Sequence, residues 1–194
     1  TVAGATQGIV VAPDIFGLRP LFDDFVARMA REWQVKVIAV EPFPGRGFPL
    51  EIEPRVQAMP TMDDDLHLRD LEEGAAALEV NRVGLIGFCM GGTLSIWGAT
   101  LTPEITASVA FYPGTSWERH NPQWINIKGK KVAIHCSEGD GTSAAPGIQE
   151  AIININKNGG VVTTFDYPGT QHAFFNNDRP QVYNKDAAKL AWQR

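Results

Sequence analysis

Six short runs rich in β-branched and small apolar residues recur along the chain, at 8–13 (GIVVAP), 36–40 (KVIAV), 83–87 (VGLIG), 107–112 (ASVAFY), 131–136 (KVAIHC) and 161–167 (VVTTFDY). Most are apolar at consecutive positions rather than alternate ones. A strand of that kind has both faces covered, which is the situation inside a parallel sheet. Between the runs lie stretches with apolar residues three and four apart. Residues 20–33 carry Leu21, Phe22, Phe25, Val26, Met29 and Trp33 on one stripe, with Pro20 suited to a first helical turn. Leu68, Leu71, Ala75 and Leu78 mark a second helix, and Ile148, Ala151, Ile152 and Ile155 a third. Val182, Tyr183, Ala187 and Leu190, after Pro180, predict a fourth. This alternation predicts an α/β fold, a mostly parallel sheet with helices on both faces. Ligands in such folds bind beyond the carboxyl ends of the strands.

Residues 41–62 break the rhythm with five prolines and two glycines. They read as a long loop with at most a short helical turn, either an active-site wall or a plain surface excursion. No repeat or linker interrupts the rest, so residues 1–194 read as a single domain. The sequence opens at Thr1, so a leader peptide upstream would not be visible. A net charge of −5 argues against nucleic acid as a partner. No apolar run approaches the ~18 residues that cross a bilayer, so no membrane partner is expected. Two cysteines, Cys89 and Cys136, cannot make a disulfide framework, which predicts a reduced, cytoplasmic protein. A monomer is the default at this size.

The sharpest local pattern is Gly87-Phe88-Cys89-Met90-Gly91-Gly92, between a buried strand and a predicted helix over 90–100. It is G-x-C-x-G, the spacing of a nucleophile elbow with cysteine in place of serine. Such a turn forces backbone so close to backbone that glycine is needed on both sides. The helix start leaves N–H groups beside the sulfur, where they favour a thiolate or a developing oxyanion. Two other readings stand beside this one. Free cysteine is often simply buried. A dinucleotide loop needs G-x-G-x-x-G and an acidic residue some twenty positions on, and neither is present.

A nucleophile needs a base. His67 sits among charges in a helical pattern and reads as surface, His120 lies in a polar loop, and His135 lies within a strand. His172 follows the last strand, with Phe174 and Phe175 behind it to pin the loop. The acid that orients the base is then Asp140, past the strand ending at Cys136, with Glu138 and Asp166 as rivals. The order Cys89, Asp140, His172 is the nucleophile–acid–histidine order of α/β hydrolases. An oxyanion hole would take the N–H of Met90 and, from the loop after the first strand, that of Ile15. Asp14 would sit next to the sulfur, either opposing a free thiolate or only shaping the loop. Phe16, Phe88, Trp117, Trp124 and Phe174 are candidates for an apolar wall, or for core. No histidine pair has metal-ligand spacing and no phosphate loop is present, so neither metal nor cofactor is expected.

Four pieces of the chain resemble the dienelactone hydrolase family, an α/β-hydrolase branch with a Cys–Asp–His triad. They are Pro13-Asp14-Ile15-Phe16-Gly17, the elbow from Gly87 to Gly92, the loop ending at Asp140, and the His172 loop. The resemblance implies an α/β-hydrolase fold lacking the family's usual N-terminal strands. It implies a small ester or lactone as partner, opened by Cys89 with His172 as base. The namesakes open butenolide rings that carry a carboxylate. They place a glutamate at Asp14, which gates the resting thiol, and bind the substrate carboxylate with arginines, for which Arg55 and Arg179 are possible counterparts. An acyl-binding protein of the same fold, a thioesterase and a thiol sensor using Cys89 are the alternatives. If Asp140 is the acid, Asp140→Asn lowers ester hydrolysis while Glu138→Gln costs little, and a rate assay on both variants decides between them.

Overall fold

The computed structural model describes residues 2–42, 51–114 and 117–194. Among the described residues six strands form one sheet: β1 (Gln7–Ala12), β2 (Lys36–Ala39), β3 (Arg82–Phe88), β4 (Ile105–Phe111), β5 (Lys131–Ser137) and β6 (Val161–Tyr167). Their order is β2-β1-β3-β4-β5-β6 and every neighbouring pair is parallel. Each predicted run is a strand, displaced at its ends by two residues at most. The helices are α1 (Pro20–Trp33), α2 (Ile52–Ala58), α3 (Asp64–Ala77), α4 (Met90–Leu101), α5 (Trp117–His120), α6 (Pro146–Lys157) and α7 (Lys185–Gln193).

Consecutive apolar residues are explained by two cores. Val10, Leu85, Val132 and Ile134 face one, filled by Leu71 and Leu78, by Leu94 and Trp97 of α4, and by Ile148 and Ile155 of α6. Val11, Ile86 and Phe88 face the other, closed by Leu21, Phe22 and Met29 of α1 and by Ala188 and Ala191 of α7. Each large apolar side chain buried this way contributes about 1.5–3 kcal/mol, so a two-faced strand gains roughly twice what a one-faced strand does. No helix among the described residues is long and apolar enough to cross a membrane.

Three expectations are corrected. The last helix starts later than its apolar spacing suggests, because the Asn184 side chain accepts a hydrogen bond from Ala187 N–H at 3.0 Å and caps it there. Val182 and Tyr183 precede it, and Leu190 lies on its exposed side. His67 is not on the surface: it is 4% exposed, with Nε2 2.8 Å from the Pro42 carbonyl oxygen. Of the predicted loop over 41–62, residues 43–50 lie outside the described residues. The remainder holds α2 and a single 3-10 turn, Met59–Thr61.

The strand order sets the position of the site. β1 has β2 on one side and β3 on the other. α1, which leaves β1, packs into one core, and α4, which leaves β3, packs into the other. The loops after β1 and β3 therefore diverge and leave a crevice at the carboxyl edge, the switch point where α/β sheets bind ligands. Backbone contacts hold the crevice together. A Cβ on Gly91 would lie 2.0 Å from the Ala12 carbonyl oxygen, and one on Gly87 1.8 Å from the Gly91 carbonyl oxygen. These atoms are main chain and cannot move aside as a side chain would. Gly91→Ala should therefore lower unfolding free energy by more than about 3 kcal/mol, the upper end of ordinary overpacking. Gly129→Ala, at φ +76 with open space around it, should lose only about 1–2 kcal/mol. Urea unfolding of the two variants tests the contrast.

Candidate active site

Cys89 stands between β3 and α4 as the N-cap residue of α4. Its φ of 56 and ψ of −117 lie in a region that a side chain rarely adopts, at a cost of about 1–3 kcal/mol. The turn is held from below by the Cys89 N–H, which donates to the Phe111 carbonyl at 3.0 Å. Under it lies an aromatic layer. Phe88 stacks on Phe111 with ring centroids 4.8 Å apart, and Phe111 stacks on His135 at 4.4 Å.

The acid and base loops are laced to each other. Gly139 N–H donates to the Thr170 carbonyl at 2.9 Å, and Gly169 N–H donates to Glu138 Oε2 at 2.6 Å. This brings His172 Nδ1 to 2.8 Å from Asp140 Oδ2, an oxygen that also accepts from the Ser137 hydroxyl. Burial raises the Asp140 carboxyl, but the hydrogen bonds from His172 and Ser137 outweigh it and the net shift is downward. Cys89 and His172 line one cleft. Burial alone would lower the His172 ring, but Asp140 and the neighbouring Cys89 raise it from 6.5 to about 10. Tyr112 meets the His172 ring edge-on at 5.1 Å, with the fully buried Phe174 behind it. The two rivals of Asp140 are placed elsewhere. Glu138 braces Gly169, and Asp166 accepts from the Ser143 N–H and hydroxyl, both at 2.7 Å.

The loop after β1 packs against the elbow, Ile15 against Met90. Phe16 N–H donates to Asp14 Oδ1 at 3.0 Å, Gly17 N–H to the Asp14 carbonyl at 2.9 Å, and Leu18 N–H to Glu41 Oε2 at 2.9 Å. Ile15 N–H has no acceptor among the described residues, and neither has Met90 N–H. The Gly17 bond fixes the peptide plane whose other edge is the Ile15 N–H, so that free donor is held in one direction. The next peptide is held too, because Arg55 Nη1 donates to the Ile15 carbonyl at 3.0 Å.

Several expected roles are corrected by this geometry. Asp14 is not engaged with the thiol. Its two oxygens take Arg19 at 2.7 and 2.9 Å, and Asn176 donates to Oδ2 at 3.3 Å, so it shapes the loop. Arg55 is 5% exposed with a donor spent on Ile15, and neither it nor Arg179 lines the cleft above Cys89. Phe88, Phe174 and Trp117 are core, each 2% exposed or less. Phe16 packs with Ile15 and Met62, and Arg19 covers its ring at 5.3 Å. The Cys136 thiol is buried and pushed up to about 12, and both cysteines are free. Among the described residues no cluster of three His, Cys, Asp or Glu side chains could hold a metal.

The cleft itself has a volume of about 520 Å³, and its walls include Met59, Met62, Met90, Leu94 and Arg119 besides Cys89 and His172. Arg119 and the methionines of the 59–62 turn were not expected from the sequence, where nothing but the proline-rich setting marked them. Arg119 donates to the Met59 and Met62 carbonyls and so fastens that turn across the cleft.

The sequence profile of the "Dienelactone hydrolase family" matches residues 1–194. Two relatives share the name "Putative carboxymethylenebutenolidase". That of Saccharolobus solfataricus is 37% identical over 59% of this chain and 42% of its own length. That of Synechocystis sp. is 30% identical over 96% of this chain and 82% of its own. A crystal structure from Klebsiella pneumoniae, named "Putative Dienelactone Hydrolase", superposes with a TM-score of 0.83 at 22% identity, covering 100% of this chain and 86% of that one.

A raised His172 has a sign for stability. Its imidazolium contributes fully below the ordinary value of 6.5, and the contribution is lost as pH rises through about 10. The melting temperature of the parent should therefore fall more steeply between pH 7 and 10 than that of His172→Gln; equal slopes would contradict the His172 assignment.

Proposed function

The chain belongs to the dienelactone hydrolase family, and on that premise we propose that it is a cysteine-dependent hydrolase of small esters or lactones. The observation that supports this reading best is the Asp140–His172 hydrogen bond, with His172 and Cys89 lining one cleft and the Ile15 and Met90 N–H groups without acceptors among the described residues. His172 lines the cleft with Cys89 and takes the thiol proton as the sulfur attacks. Cys89 Sγ adds to the carbonyl carbon, and the charge on the carbonyl oxygen is received by Ile15 and Met90 N–H. His172 gives its proton to the leaving oxygen as the thioester forms. Water then adds with His172 as base, the C–S bond breaks, and the acid leaves with Cys89 restored. Asp140, held by Ser137, keeps the ring in one orientation throughout.

The test is hydrolysis of 4-nitrophenyl acetate and of a dienelactone, side by side. Cys89→Ala and His172→Ala should each lower kcat by on the order of 10⁴-fold, and Cys89→Ser should be far slower than the parent. Turnover that survives Cys89→Ala would overturn the reading.

A further inference from the structure

The chain has four methionines, and three of them meet above Cys89. The fourth, Met29, is core at 1% exposure. Met59 and Met62 come from the turn after α2, and Met90 comes from the elbow. Met62 is 7% exposed and packs on Ile15, so the thioethers line the cleft next to both free N–H donors. Leu94 and Pro60 extend the same wall. Methionine is flexible and polarizable, and surfaces rich in it adapt to apolar ligands of varied shape. Among the described residues one guanidinium lines the cleft, that of Arg119, and two of its nitrogens donate to the Met59 and Met62 carbonyls.

Resting on the hydrolase reading, we propose that this cleft takes the acyl part of an uncharged ester or lactone, a flexible apolar chain of medium length. The acyl part is the half of the substrate that becomes bonded to Cys89 Sγ, and Cys89 and the three methionines line the same cleft. The acyl chain therefore lies along the methionines. Besides Cys89 and His172, the ionisable side chains of the wall among the described residues are Arg119, which holds the two methionine carbonyls, His67, whose Nε2 is 2.8 Å from the Pro42 carbonyl oxygen, and His120.

The experiment measures kcat/KM for 4-nitrophenyl acetate, butyrate and hexanoate, and for the monoester of glutaric acid. Burial of about 0.8 kcal/mol per methylene corresponds to roughly fourfold per carbon, and an increase of that order is expected from acetate to hexanoate. Met62→Ser should flatten the hexanoate-to-acetate ratio, and Met62→Leu, which keeps the apolar volume, should retain it. A flat gradient in the parent overturns the proposal. So does a preference for the glutarate monoester over its neutral isostere, or a gradient that follows the alcohol chain in alkyl esters. Binding separates this proposal from the reading beneath it. Methyl hexanoate should bind the Cys89→Ala variant more tightly than methyl acetate, by calorimetric titration. That result with an inactive parent would leave the pocket standing and remove the hydrolase.

Discussion

The approach of backbone to backbone at the elbow is the constraint on which the rest of this molecule depends. Gly87 and Gly91 touch each other, and Gly91 touches the end of β1. Gly92 is nearly as tight, since a Cβ there would lie 2.8 Å from the Phe111 carbonyl oxygen. Three strand ends and one helix start are thereby drawn to a single point. No side chain mediates these contacts, so the position of Cys89 is set by covalent geometry rather than by packing alone. The strain in Cys89 is tolerable because the two cores hold the surrounding strands firmly.

This constraint also explains what was legible. Where main chain must approach main chain, only glycine serves, and the pattern from Gly87 to Gly92 reads directly. The inner strands read equally well, because two-sided burial leaves a nearly unbroken apolar run, whereas β6, an edge strand with only Tyr167 buried, reads from its β-branched and aromatic residues. Other features have no such signature. Met59 and Met62 sit in a segment without periodicity, so nothing distinguishes a cleft wall from a surface turn. Arg19 is five residues from Asp14, and its ion pair could not be told from a loop carboxylate capping α1. His67 was obscured by its charged neighbours. Yet it lies four residues before Leu71 and eleven before Leu78, on the stripe that faces the core.

The treatment of charge near the reaction centre follows one pattern. Asp14, Arg19 and Arg55 lie in or against the loop after β1, and each has a local partner. Asp14 and Arg19 form a two-point ion pair, with Asp178 as a second partner for Arg19 at 3.1 Å. Buried charge without a partner would cost several kcal/mol. Compensated in this way, it serves to stiffen the loop that carries Ile15. His172 is raised by a different set of neighbours, Asp140 and Cys89.

The wall of the cleft is fastened differently from its floor. Arg119 grips the carbonyls of Met59 and Met62. It takes hold of main-chain oxygens, which every amino acid supplies. The side chains that this turn presents can therefore drift without loosening the clasp that seats it. On the proposed reading, the nucleophile's position is fixed by its glycines, while an exchange of one apolar side chain for another on this turn alters the shape of the cleft and leaves the clasp intact.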